Sequence, residues 1–230
     1  MARSSDKTRS TQLRFRKRIA QAIAHTRLLV AGLLKTPGGR LQVSRWTSSS
    51  ARSAVARRGI RCDASPFGFG AIFFERGAPI AWIAGVWTQG DMDFLNAKAG
   101  DPAWQAEWEL FGALVAVDTW LARLMGHPLV LMQLDATAAL HAVLRSAGRT
   151  PAMNALAAEV ALRLEIAGVQ LLHEHVAGTL NVECDALSRI AQGKAIPKTL
   201  EGIRRDEPRT RTARFWWAQG SSASSSSTAR

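Results

Sequence analysis

His175-Val-Ala-Gly-Thr-Leu-Asn-Val-Glu-Cys-Asp-Ala-Leu-Ser-Arg189 is the stretch on which the reading of this chain turns. It sets a His, a Gly, an Asn and an Asp in a fixed frame at the start of an apolar-periodic run. Asn181 or Thr179 can cap that run as a helix N-terminus. Asp185 and Arg189 then lie one turn apart on one helix face. His175 stands before the turn, at the end of a strand expected over 169–174. An acid on a helix is thereby returned toward a His on a loop, which is a site geometry. A capping motif with a surface ion pair would use the same residues.

Working upstream, the pattern supplies elements to hold such a site. Strands are expected over 60–63, 67–75 and 79–87, with turns at Ser65-Pro66 and Arg76-Gly77, which makes an antiparallel meander. A polar loop is expected over 88–102. Trp108, Leu110, Phe111, Leu114, Val115, Val117 and Leu121 recur at helical spacing and predict a long helix over 103–125. A buried strand over 129–135 follows, then helices over 137–146 and 151–167, the second with Pro in its first turn. The strand over 169–174 and a closing helix over 181–192 complete the pattern. This order predicts an α/β fold: a five-stranded mixed sheet, three antiparallel strands then two parallel, flanked by helices, with right-handed parallel crossovers.

Four carboxylates fall on these elements. Asp63 lies in Cys62-Asp-Ala-Ser-Pro-Phe-Gly-Phe-Gly-Ala71, where it can also open a turn. Glu109 opens Glu-Leu-Phe-Gly-Ala-Leu and shares a helix face with Ala113 and Ala116. A carboxylate on an otherwise apolar face costs several kcal/mol unless it is paired or binds metal. Glu107, two residues away, points elsewhere and is the rival assignment. Asp135 ends the strand over 129–135, where it also suits a helix N-cap. Asp185 is the fourth.

The run His-x-x-Gly-x-x-Asn-x-x-x-Asp-x-Leu-Ser-Arg is similar to the last motif of the ribonuclease H domain of reverse transcriptases. Its form is nearest to retroelement sequences of the DIRS-like or LTR type. Cys62–Ala71 resembles the first motif of that family, Glu109 to Leu114 the second, and the strand ending at Asp135 the third. The chain departs from the pattern with Ala177 for Pro, Cys184 for Ala, Gly112 for Ala, and Ala136 for a polar residue. Gly112 weakens a helix by roughly 1 kcal/mol. The resemblance spans residues 60–200 and implies a ribonuclease H-like fold. It also implies that Asp63, Glu109, Asp135 and Asp185 hold two Mg²⁺ or Mn²⁺ ions, the hard cations that oxygen donors select. The implied activity is endonucleolytic hydrolysis of the RNA strand of RNA–DNA hybrids, with His175 helping protons or product leave. Asn181, and backbone groups near Ser65 and Gly68, are the implied contacts to 2′-hydroxyls. Two rivals remain: a decayed domain that binds hybrids without cutting them, and another nuclease of the same fold that acts on DNA.

Composition sets the outer bounds. The 230 residues suit one ordinary domain plus tails, and 47% hydrophobic residues suffice for a core. No apolar run reaches the roughly 18 residues of a membrane helix, so a soluble intracellular protein, nuclear or cytoplasmic, with no membrane partner is expected. Cys62 and Cys184 are too few for a disulfide framework or a zinc site. The net charge of +12 is unevenly placed: 15 Lys/Arg against one acid over 1–61, 9 against 14 over 62–200, and 6 against 3 over 201–230. Residues 1–58 are expected to be a basic linker or arm, helical in part over about 11–34, that makes nonspecific contacts to nucleic acid. An Arg-rich, acid-poor start also leaves an organelle transit peptide or nuclear signal open. Residues 59–200 are expected to form the ribonuclease H-like domain, and 201–230 a disordered basic, Ser-rich tail. The chain has no Tyr and no Phe-x-Asp-Asp, so a polymerase motif is missing. The expected form is a fragment or solitary domain whose polymerase partner is encoded separately or lost.

Overall fold

Ile60, Cys62 and Ala64 are buried, and so are their alternating neighbours Asp63 and Ser65. A strand buried on both faces must lie inside a sheet, and this one is its centre. The computed structural model describes residues 58–209 apart from Pro128 and residues 146–147. β1 (Arg58–Ser65) turns back into β2 (Gly68–Glu75), which turns into β3 (Ala78–Val86). At the first turn Ser65 Oγ accepts the Phe67 N–H. At the second, Arg76 and Gly77 take φ of 53° and 82°, the combination that suits a two-residue hairpin. The chain continues through α1 (Gln89–Leu95), α2 (Gln105–Leu124), β4 (Leu129–Leu134), α3 (Thr137–Arg145), α4 (Pro151–Ala167), β5 (Gln170–His175), α5 (Val182–Ser188) and β6 (Arg204–Arg205).

The sheet order is β5-β4-β1-β2-β3-β6. β1, β2 and β3 are antiparallel neighbours, β4 runs parallel to β1, and β5 runs parallel to β4. The mixed α/β architecture expected from the element order is therefore present, with one correction. The sheet has six strands, because Arg204 and Arg205 pair in parallel with Ala81 and Trp82. Two residues carry no period, so the sequence pattern could not announce this strand. The boundary drawn at residue 200 also moves. Leu200 is buried in one cluster with Ile72, Trp82 and Leu187, Ile203 packs against that cluster, and β6 follows, so the packed chain runs past residue 200. The expected loop over 88–102 contains α1, started by a capping box in which Thr88 and Asp91 satisfy each other's backbone N–H groups. The expected closing helix over 181–192 ends at Ser188 and continues as a 3₁₀ turn, Ile190–Gln192. The expected helix over 11–34, the arm up to residue 57 and the tail from 210 lie outside the described residues. Among the described residues, no helix is long and apolar enough to cross a membrane.

The two faces of the sheet are read from directly paired residues. Ala64 pairs with Phe69 and Asp63 with Gly70, so the two pairs face opposite ways. α2 covers the Ala64 face. A Cβ on Gly112 would stand 3.3 Å from Ala64 Cβ and 3.5 Å from that of Phe69. The glycine in place of Ala is thus a seat for close helix–sheet approach. α5 covers the Asp63 face, with Cys184 and Leu187 packed on Ile72, Trp82 and Ala84. α4 is capped by Thr150 and ended by Gly168 at φ 66°. It joins α2 through fully buried Arg163, whose guanidinium meets Asp118 at 2.6 Å and Glu159 at 2.5 Å. A buried charge survives only when paired in this way.

Candidate metal centre

Sheet register brings the first two acids together. Arg61 pairs with Gln133 in the parallel β1–β4 ladder, so two residues further on the strands reach Asp63 and Asp135. Both lie at the carboxyl end of that parallel pair, where open α/β sheets place ligands. β5 adds His175, paired with Leu134 beside Asp135. From above, α2 lowers Glu109 onto the same point. Carboxylate oxygens of Asp63, Glu109 and Asp135 all lie within 4.8 Å of one another.

The surroundings orient each group. Ser188 Oγ donates to Asp63 Oδ2 at 2.6 Å. Gln105 Nε2 donates to Glu109 Oε1 at 2.9 Å, and the Ala64 N–H to Oε2 at 3.2 Å. His175 Nε2 lies 3.0 Å from the Asp135 carbonyl oxygen. Asp63 and Glu109 are buried, Asp135 is partly exposed and His175 is exposed, so the cluster has a buried floor and an open mouth.

Burial is the main influence on ionisation. It pushes Asp63 up to about 7; the Ser188 hydrogen bond opposes this, while the charges of Asp135 and Asp185 add to it. Glu109 is raised well above the ordinary carboxylate range by burial, then by Asp63 and Asp135, against its Gln105 and Ala64 hydrogen bonds. Asp135 is raised by burial, and its own and Ala136's backbone N–H groups and His175 hold it back. Such a group of acids resists full ionisation without a cation. Burial also keeps Cys62 and Cys184 as thiols, raising both well above their ordinary value. His173 is pushed down to about 4 by burial and stays neutral.

The remaining candidates lie around this group. Asp185 is outside the three-carboxylate group. Its oxygens are taken by Arg189 Nε at 2.7 Å and Lys194 Nζ at 3.3 Å, although its charge is felt by Asp63 and Asp135. Asn181 stands at the N-cap position of α5 but makes no side-chain capping bond there. It is fully buried, its Nδ2 donates to the Cys62 carbonyl at 3.2 Å, and its Oδ1 is buried without a hydrogen-bond partner. The Ser65 hydroxyl is likewise buried and donates to the Ser188 carbonyl at 3.0 Å. Gly68 is needed for close approach, since a Cβ there would meet the Gly85 carbonyl oxygen at 2.4 Å. Glu107 is buried away from the cluster and accepts from Thr150 Oγ1 at 2.7 Å. Sequence reasoning missed Gln105 and Ser188. Gln105 could have been found as the residue one turn before Glu109. Ser188 sits inside the quoted motif, but its partner lies on β1, and nothing local marks that contact.

Strand order, crossover pattern and the convergence of Asp63, Glu109 and Asp135 define a class: a mixed α/β domain with a carboxylate cluster at the carboxyl end of its parallel strands. Two solved structures are similar in fold. One is ribonuclease H1 from the halophilic archaeon Halobacterium salinarum, 14% identical, with a TM-score of 0.46, covering 61% of this chain and 100% of that one. The other is the N-terminal ribonuclease H domain of a Mycobacterium tuberculosis protein, solved as a fusion with maltose-binding protein, also 14% identical at a TM-score of 0.46, covering 61% and 99%. No family model and no curated protein matches the chain.

Proposed function

We propose that this domain cleaves the RNA strand of RNA–DNA hybrids endonucleolytically, and that it is the ribonuclease H part of a retroelement reverse transcriptase. The observation that carries the reading is the convergence of three carboxylates from β1, α2 and the end of β4. The donor set is all oxygen, which suits Mg²⁺ or Mn²⁺. The upward-shifted acids fit bound cations, which would relieve their mutual repulsion. Asp63, Glu109 and Asp135 would hold two ions, with Asp185 as fourth carboxylate once it leaves Arg189 and Lys194. Ions bound there would supply an activated water and charge stabilisation at the leaving 3′ oxygen. The chain's own residues do the remaining work. Gln105 and the Ala64 N–H hold both oxygens of Glu109. His175, exposed at the mouth with Nε2 near the Asp135 carbonyl oxygen, would help protons or product leave. The form of the His175–Arg189 motif supports a retroelement origin, with a polymerase domain as the separate partner. The basic segment before the domain supplies nonspecific attraction to the hybrid.

The test is to incubate the purified protein with Mg²⁺ or Mn²⁺ and labelled RNA–DNA hybrid, single-stranded RNA and DNA duplex. Only the RNA strand of the hybrid should be cut, and a chelator should stop the reaction. Binding without cutting would favour a decayed domain, and cleavage of the duplex would favour a DNA nuclease.

A further inference from the structure

α5 approaches the sheet closely at Gly70. Gly70, which pairs directly with Asp63, has no Cβ; one built there would meet Leu187 Cβ at 2.2 Å, Ser188 N at 2.8 Å and the Cys184 carbonyl oxygen at 2.9 Å. Only a glycine at that register position lets the last turn of α5 reach the β1 side chain beside it. The Ser188 backbone is then pinned by the Ser65 hydroxyl, which donates to its carbonyl at 3.0 Å. Ser188 Oγ is buried between two acceptors, Asp63 Oδ2 at 2.6 Å and the Asp185 carbonyl oxygen at 2.9 Å. A hydroxyl has one proton to give, and an ionised Asp63 has no proton to offer in return. With Asp63 charged, the bond must therefore run from Ser188 to the carboxylate. Ser188 makes the one hydrogen bond to the Asp63 carboxylate among the described residues.

We propose that Ser188 is a positioning residue for the metal centre: seated on Gly70 and pinned by Ser65, its hydroxyl fixes the Asp63 carboxylate so that one oxygen is left to a cation. This rests on the cation-binding part of the proposed function and not on the identity of the substrate. It ties the closing motif to the first strand through its Ser, whereas Asp185 of the same motif is engaged elsewhere.

The test reads Mn²⁺ binding directly, by calorimetry and electron paramagnetic resonance, on the full chain. Ser188→Ala should weaken Mn²⁺ binding by about 10- to 100-fold, the usual effect of losing a group that orients a metal ligand. Leu187→Ala is the control. It opens a cavity under the same helix while keeping the Ser188 hydroxyl, so it should lower the thermal midpoint more than Ser188→Ala and weaken Mn²⁺ binding less. Unchanged Mn²⁺ affinity in Ser188→Ala overturns the proposal. So does a loss in Leu187→Ala as large as in Ser188→Ala, which would make Ser188 a packing residue, and so does a wild type that binds no Mn²⁺. A wild type that binds Mn²⁺ but cuts no hybrid sinks the proposed activity and leaves this role for Ser188 standing.

Discussion

Glu107 and Glu109 are both buried, stand two residues apart on one helix, and have opposite surroundings. Glu109 faces Asp63 and Asp135, whereas Glu107 accepts a hydrogen bond from the Thr150 hydroxyl at the start of α4. Glu109→Gln removes a charge from the cluster and should lower hybrid cleavage by about a thousandfold or more, the equivalent of several kcal/mol of barrier. Glu107→Gln should leave the rate within a few-fold and cost at most about 1 kcal/mol of stability, since only one hydrogen bond changes. Steady-state cleavage rates with thermal unfolding of both variants check this, and a reversed pattern would place the site on the other helix face. At this scale the sequence was legible where chemistry and period agree: an acid at the end of a strand or on an apolar helix face has few reasons to be there. It was illegible where tertiary packing decides direction. Asn181 reads as a cap, but it makes no side-chain capping bond, and its Nδ2 donates to the Cys62 carbonyl across the sheet. The ion pairs of Asp185 with Arg189 and Lys194 likewise depend on side-chain direction, which the helix spacing does not give beyond the i,i+4 pair.

Among the elements, those with a hydrophobic period were readable and the short ones were not. β1 to β5 and the three longer helices fall within a few residues of expectation, because each buries a patterned face. β6 spans two residues and is anchored by Asp206, the next residue along the chain. The Asp206 N–H donates to the Trp82 carbonyl, and the Asp206 carboxylate accepts from Trp120 Nε1 at 2.9 Å. The same carboxylate meets Arg123 at 3.2 Å and Arg204 at 2.6 Å. Arg205 lies over the Trp82 ring. A segment that reads as polar tail thus closes the β3 edge of the sheet, which would otherwise be open for pairing. Asp206→Ala would leave the buried Trp120 N–H without its acceptor and should destabilise the domain by about 1–3 kcal/mol. Urea unfolding measures this as a lower midpoint at unchanged slope. A midpoint equal to wild type would show that the C-terminal clasp adds nothing to the fold.

The whole chain separates its charges: the basic excess lies before residue 62, and 62–200 carries more acids than bases. Deleting residues 1–57 should weaken hybrid binding and flatten its salt dependence, because fewer phosphate contacts release fewer counterions. A binding isotherm with the same salt slope as full-length protein would remove the arm from the interaction. The acidic part has its own consequence for stability. Asp63 has a folded pKa of about 7 against an ordinary 3.8, and Glu109 and Asp135 are also raised. Below pH about 4 both states hold these protons and no stability is lost. As pH rises above that, the unfolded chain ionises freely while the folded cluster keeps its protons. The folded state then binds more protons, so the free energy of unfolding falls with pH until the folded pKa values are passed, near 7 for Asp63. In chelator, the contribution of the cluster should therefore shrink from about pH 5 to about pH 8. Millimolar Mg²⁺ should restore it at the higher pH, since a ligand bound only by the folded state stabilises by mass action. Asp135→Asn removes one of the repelling charges. It should raise the metal-free midpoint at the higher pH, flatten its pH dependence, and abolish both the Mg²⁺ response and cleavage. Thermal unfolding of wild type and Asp135→Asn at the two pH values, with chelator and with Mg²⁺, decides the matter. If Mg²⁺ leaves the wild-type midpoint unmoved and Asp135→Asn only destabilises, the three carboxylates are a structural cluster, and the proposed hydrolysis has no centre in this domain.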